Sequence, residues 1–399
     1  MSNAAVPMRT ENNGELLAVE EVPWRLVMLQ GGRSLTSRLI TAGVVLVGTV
    51  LMVELCTRSY ASGTLLGPAL VWLCMSLAGI ELAWYLLLVK LELGNKAMWE
   101  GRTEAFTALV IGGCSLLLLI TMLLTGGPAI ATNVLSWNEG FIVPVIGSGL
   151  LNIGIMLAKI KAKALEDLSL VAPIESSTPA IVILFGIVFL GEMPGVWGWS
   201  GIWLLAIGTY TLGIRDLFDK LAASRQSPQA STLETIVGEQ RHGWRYQLSV
   251  WLAPIISLRQ SLGVRWAYFA VLFSLFALPY EALSTRNANP AFAYCCVFGI
   301  AAAGNLFLAL YWKEFAGLNW QHAFRALLLM SALFAALHVA FGLSYRVTLM
   351  SHVGALKRLS IPLTIIGALI FLGERKKIGG RLVGGMIMTI GAILISLDM

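Results

Sequence analysis

Two consecutive bases inside an apolar run are the residues best placed to do chemistry. Lys357 and Arg358 stand in SHVGALKRLSIPLTIIGALIFLGE, about one helical turn into the hydrophobic segment. An ammonium beside a guanidinium can hold a phosphate or a carboxylate, the guanidinium through two parallel hydrogen bonds. The start of a helix adds positive potential at the same place. The bland alternative is that both side chains snorkel to the headgroups. Adjacent helical residues differ by about 100° in direction, however, and charges within spans usually face the bundle interior or a wet cavity.

A second stretch, APIESSTPAIVILFGIVFLGEMPG, has the same plan. Placing Gly191-Glu192 on Gly373-Glu374 sets Glu175 opposite Lys357. Glu175 could bind a substrate amine, carry a proton, or pair with Lys357 or Arg358, and a purely structural salt bridge between the two stretches stays open. Ser176 and Thr178 follow it, ahead of Pro179. Their hydroxyls can satisfy backbone groups freed by the proline or touch a ligand. His352 lies one to two turns before Lys357 and joins the candidate substrate-binding set. Glu81, deep in AGIELAW, is a candidate proton carrier, because a lone carboxylate in a span is costly unless protonated or paired. Glu281, in LPYEALS near a span end, reads as structural. Asn152 and Asn305 read as interhelical hydrogen-bonding residues, and His338 as a packing residue.

The elements that must position these residues are membrane helices. The chain has 399 residues, 57% of them apolar and 13% charged, about half the charge of a soluble domain. Runs of about 20 apolar residues can cross the hydrocarbon core, and only helices leave no backbone group unpaired there. Eleven spans are expected, at 39–55, 65–89, 105–124, 141–160, 170–190, 196–214, 264–283, 291–312, 323–345, 353–372 and 378–397. The stretch 246–258 contains Pro254 and reads as an interfacial helix. Glycines at 195, 198, 201 and 208, and at 380 and 384, predict close helix–helix approach. The five cysteines form no C-x-x-C and pack within helices. No metal site, Walker loop or H-E-x-x-H is present in the sequence, so neither a cofactor nor an enzymatic activity is expected.

This reads as an all-α polytopic membrane protein. A polar tail, 1–38, precedes an extra transmembrane helix, 39–57. A five-helix unit at 64–214 and another at 262–399 flank a polar linker, 215–261. Two units with an odd number of spans each must run in opposite senses, so they form inverted repeats, a ten-helix core plus one helix. The net charge of +6 lies mostly in loops and reports topology, with no nucleic acid implied. Basic residues cluster before the first span and after the second, fourth, sixth and tenth, which puts the N-terminus and the linker in the cytoplasm.

On the residues quoted, 176–214 and 359–397 resemble the drug/metabolite transporter superfamily, in particular its EamA-type domains. The Lys-Arg helix is similar to that of the triose-phosphate/nucleotide-sugar branch. The resemblance implies ten-helix secondary transport by alternating access, with a central cavity lined by the starts of two helices, here 170–179 and 353–362. It maps a phosphate contact onto Lys357 and Arg358. It also maps a further lysine onto Glu175, which has the wrong sign for a plain sugar-phosphate site. The expected activity is therefore transport of a small anionic or zwitterionic metabolite across the membrane, in a bacterial inner membrane. A flippase for a phosphate-bearing lipid and a non-transporting scaffold are the alternatives. The partners to expect are a small-molecule substrate, the lipid bilayer and, in a homodimer, a second copy.

Overall fold

Helices satisfy their backbone internally, and a chain this apolar gains its remaining stability by packing them side by side. The computed structural model describes residues 29, 30, 32, 34–62, 67–93, 95–125, 140–165, 193–208, 262–348, 353, 357, 360–371 and 378–397. Among them the protein is all-helical, without strands. The helices are α1 (Leu35–Ala61), α2 (Gly67–Leu93), the single turn α3 (Lys96–Trp99), α4 (Thr103–Thr125), α5 (Ile142–Leu165), α6 (Val196–Gly208), α7 (Leu262–Asn287), α8 (Pro290–Tyr311), α9 (Trp320–Val347), α10 (Ser360–Phe371) and α11 (Ile378–Ser396). Seven of these, α1, α2, α4, α5, α7, α8 and α9, are long and apolar enough to cross a bilayer and mark an integral membrane protein. The interfacial helix expected at 246–258 lies outside the described residues, as does the span expected at 170–190.

Local sequence explains where the helices begin. The Asn289 side chain accepts from the Ala291 N–H, with Pro290 at the first helical position, so α8 starts there. Asn319 likewise accepts from the His322 N–H at the start of α9. Inside the spans, hydroxyls return to their own helix: Thr107 to the Thr103 carbonyl and Thr121 to that of Leu117.

Packing centres on α9, a helix of 28 residues whose apolar window is 94% buried. It lies against α1, α2, α4, α7 and α8. The other extensive pairings are α5 with α7, α4 with α8, α5 with α8, and α2 with α10. Helices α6 and α11 cross almost backbone to backbone. A Cβ at Gly391 would lie 2.7 Å from the Gly201 carbonyl oxygen, and one at Gly208 would lie 2.9 Å from that of Gly384. Three of these four glycines were expected to mediate close approach, and Gly391 adds a fourth.

The two ends of the bundle are defined by polar ties. At one end Arg38 donates to the Arg325 carbonyl at 2.9 Å and to the Gln30 side chain at 2.8 Å, and His322 lies 3.8 Å from Glu92. Arg102 donates to the Ala316 carbonyl at 2.9 Å, and Lys161 lies over the Trp266 ring. The starts of α1, α4, α7 and α9 therefore share this end with the ends of α2, α5 and α8. At the other end Arg286 donates to the Tyr345 carbonyl at 2.8 Å, and Gly140 approaches Asn287. This alternation agrees with the loop-charge pattern. The Arg38, Lys90, Arg102, Lys161 and Lys313 positions gather at one end, while Arg58, Arg286 and Arg346 fall at the other.

Candidate functional site

Lys357 sits on a helical turn just ahead of α10, where the Ser360 hydroxyl donates to its carbonyl oxygen at 2.8 Å. Its side chain turns toward the bundle rather than toward headgroups. The ammonium donates to the Tyr345 hydroxyl at 3.0 Å and lies 4.4 Å from the centroid of the Phe341 ring. Both aromatics belong to the last turns of α9 and are fully or almost fully buried. The half-buried cation thus rests on ring faces of the most enclosed helix, with its long stem spanning from α10 to α9.

Behind it the aromatic packing continues. Tyr294 and Phe298 of α8 stack at 5.3 Å. The His338 ring lies 4.7 Å from Phe298 and 4.1 Å from Phe334. His338 Nδ1 meets the Phe334 carbonyl at 2.7 Å, which is the packing role its sequence position predicts. The Tyr294 hydroxyl is buried and has no hydrogen-bond partner.

Glu81 is buried in mid-α2, and its partner comes from the extra helix: Thr49 Oγ1 of α1 donates to Glu81 Oε1, while Oε2 is buried without a partner. Nothing in the spacing of α1 predicted that contact. Asn152 of α5 donates to Glu281 Oε1 of α7 at 3.1 Å, and also to Ser148 of its own helix. Three acceptors around one nitrogen fix the orientation of the amide. The interhelical role of Asn152 is as expected. Glu281, expected to be structural, is buried at the crossing of α5 and α7 and accepts this bond. Asn305 differs from its expectation, because it donates to Ala301 of its own helix and leaves its oxygen unpartnered.

Of the expected substrate residues, Arg358, Glu175, Ser176, Thr178 and His352 lie outside the described residues. The structure therefore places Lys357 within the bundle and Glu81 beneath α1. It adds Tyr345 and Phe341, which sequence reasoning missed because they stand on the preceding helix with no motif of their own.

No group of three or more metal-ligating side chains occurs among the described residues. All five cysteines are free. No family model matches the chain, and no curated protein matches it. A solved structure described only as "Crystal structure of protein" superposes with a TM-score of 0.53 at 15% identity, covering 81% of this chain and 97% of that one. At that identity the likeness concerns the fold alone.

Proposed function

We propose that the protein is a secondary active transporter of a small anionic or zwitterionic metabolite. It is built as two inverted five-helix repeats of the drug/metabolite transporter kind, with α1 added. One observation supports this reading: among the described helices of the two halves the most extensive pairings persist when the halves are exchanged, whereas the lesser contacts of α7 with α8 and α9 have no comparable counterpart. Let α2, α4, α5 and α6 trade places with α7, α8, α9 and α11. The pair α5–α7 becomes α9–α2, and α5–α8 becomes α9–α4. The pairs α4–α8 and α6–α11 map onto themselves, and each mapped pair is in contact. The first helices of the halves, α2 and α7, also begin at opposite ends. Such pseudo-symmetry supports alternating access, because each half can take the conformation of the other.

In this reading Lys357 and Arg358 anchor the anionic group, with Glu175 as countercharge or amine ligand and Glu81 as a proton carrier. Ser176, Thr178 and His352 complete the substrate site. An arriving anion would offer the ammonium a charge-assisted hydrogen bond beside the Tyr345 hydroxyl and the Phe341 ring. The basic end of the bundle and the central linker lie in the cytoplasm of a bacterial inner membrane.

A thermal-shift screen of phosphorylated metabolites and amino acids supplies the substrate, and uptake into proteoliposomes tests the site. Lys357→Ala and Arg358→Ala should each abolish uptake while the protein still inserts and elutes as a single species. Normal uptake by both variants would overturn the assignment. The double exchange Glu175→Lys with Lys357→Glu should restore a purely structural bridge but not transport.

A further inference from the structure

At the basic end of the bundle two carboxyl groups from opposite halves meet. Glu104 opens α4, and Glu314 lies in the turn between α8 and α9. Both are nearly buried, with 5% and 8% of their surface exposed, and their carboxyls are close enough to share a hydrogen bond. Two carboxylates cannot make that bond without a proton between them. The surroundings supply one full countercharge. Lys161, near the end of α5, lies 2.6 Å from Glu104 Oε1, and the Thr103 hydroxyl donates to Glu104 Oε2 at 2.6 Å. Glu314 Oε2 accepts from the Ala105 N–H at 2.7 Å, which ties the turn directly to the backbone of α4. The other charged neighbours are committed elsewhere or point outward. Arg102 spends its guanidinium on the Met98 and Ala316 carbonyls, and Lys313 is exposed. From α7, Arg265 stands next to Trp266, on whose ring Lys161 rests.

We propose that Glu104, Glu314 and Lys161 form a proton-operated clasp that holds the α8–α9 turn of one half against the start of α4 in the other, and that opens this end of the bundle when the shared proton leaves. With the proton in place the trio is neutral, and every buried oxygen named has a partner. Without it, two adjacent anions face one ammonium, and the turn carrying Glu314 is the part free to move away. Burial, and then the adjoining Glu104 carboxyl, push Glu314 up to about 8. The sign follows from linkage: a carboxyl held protonated in the closed form favours closure below its raised value and loses that contribution as the pH rises through it. The clasp is therefore tightest in acid, loosens progressively as the pH rises from the ordinary carboxyl range, and has lost the proton's contribution above about 8. Resting on the transporter reading for what the motion serves, it is the gate of the basic end, and its proton is one the transport cycle exchanges.

The test uses the full chain in nanodiscs and needs no substrate. Amide hydrogen exchange is followed by mass spectrometry on peptides covering 103–110 and 312–319, corrected for the intrinsic pH dependence of exchange. In the wild type, protection of both peptides should fall about tenfold between about pH 7 and about pH 9, as loss of a single proton dictates. Glu314→Gln carries its hydrogen permanently and should keep both peptides protected across the range. Glu314→Ala should leave both unprotected throughout. If Glu314→Gln does not elute as a folded species, Glu104→Gln serves in its place, because its amide donates to Glu314 whatever the pH. A pH response in the Gln variant equal to that of the wild type, or none in the wild type, would overturn the clasp. Uptake assays on Lys357 variants would be untouched by that outcome, so failure of the clasp and failure of the transporter reading are separable.

Discussion

Lys357 shows how aromatic side chains help to hold a charge inside an apolar bundle. A desolvated ammonium over an aromatic face gains about 2 kcal/mol, and the Tyr345 hydroxyl adds an ordinary hydrogen bond. Both contacts draw the side chain inward. Tyr345→Phe should therefore leave the fold intact and alter substrate affinity by about tenfold or less, one hydrogen bond's worth, as read by substrate-dependent thermal shift. Glu81 is held differently, through one hydroxyl on a neighbouring helix. Thr49→Val should cost about 1–3 kcal/mol by leaving that buried oxygen bare, while Thr49→Ser should restore most of it. Thermal unfolding in detergent measures both, with Thr389→Val as a control, since Thr389 bonds only within its own helix. The charges themselves were legible in the sequence, because a Lys, Arg or Glu in an apolar run stands out. Their partners were not: Thr49, Tyr345 and Phe341 are unremarkable types for a membrane helix, and only packing brings them to the charge.

At the level of elements, the glycines of α6 and α11 carry the clearest consequence. A Cβ at Gly391 would meet the Gly201 carbonyl and one at Gly208 that of Gly384, backbone that cannot give way as a side chain can. Gly391→Ala should destabilise the protein by about 1–3 kcal/mol through forced separation of the two helices. Gly43→Ala and Gly48→Ala in α1 meet nothing within 4 Å and should be neutral or stabilising by up to about 1 kcal/mol. The spacing of seven residues between Gly201 and Gly208, and between Gly384 and Gly391, is visible in the sequence, and a glycine surface on each helix could be anticipated from it. Which helix would be approached could not, because glycine periodicity describes one surface and names no partner. The clasp was hidden for a similar reason: Glu104 and Glu314 are 210 residues apart, each beside basic residues that make it look like ordinary loop charge.

For the molecule as a whole, the seven long helices alternate in direction, and their loops sort by charge. Single cysteines at exposed Glu100 and Lys313 should react with an impermeant maleimide from one side of the membrane, and those at Ser62 and Arg346 from the other. Labelling of all four from one side would contradict the arrangement, and labelling of the first pair from the cytoplasmic side is the outcome expected from the proposed orientation. Seven of the eleven expected spans and their alternation were readable from hydropathy and loop charge, because both follow directly from the cost of burying polar groups in lipid. The place of α1 was not, since an apolar helix carries no residue pattern that names its neighbours. Its position bears on biogenesis. A ribosome delivers α1 and α2 together, so Thr49 is already at hand when the Glu81 carboxyl must leave water. The contact of Arg38 with Arg325 spans 287 residues, so the same hairpin then waits, with one flank still facing lipid, until α9 is made. Insertion of the acid is thus settled by local sequence, whereas closure of the bundle is deferred almost to the end of synthesis.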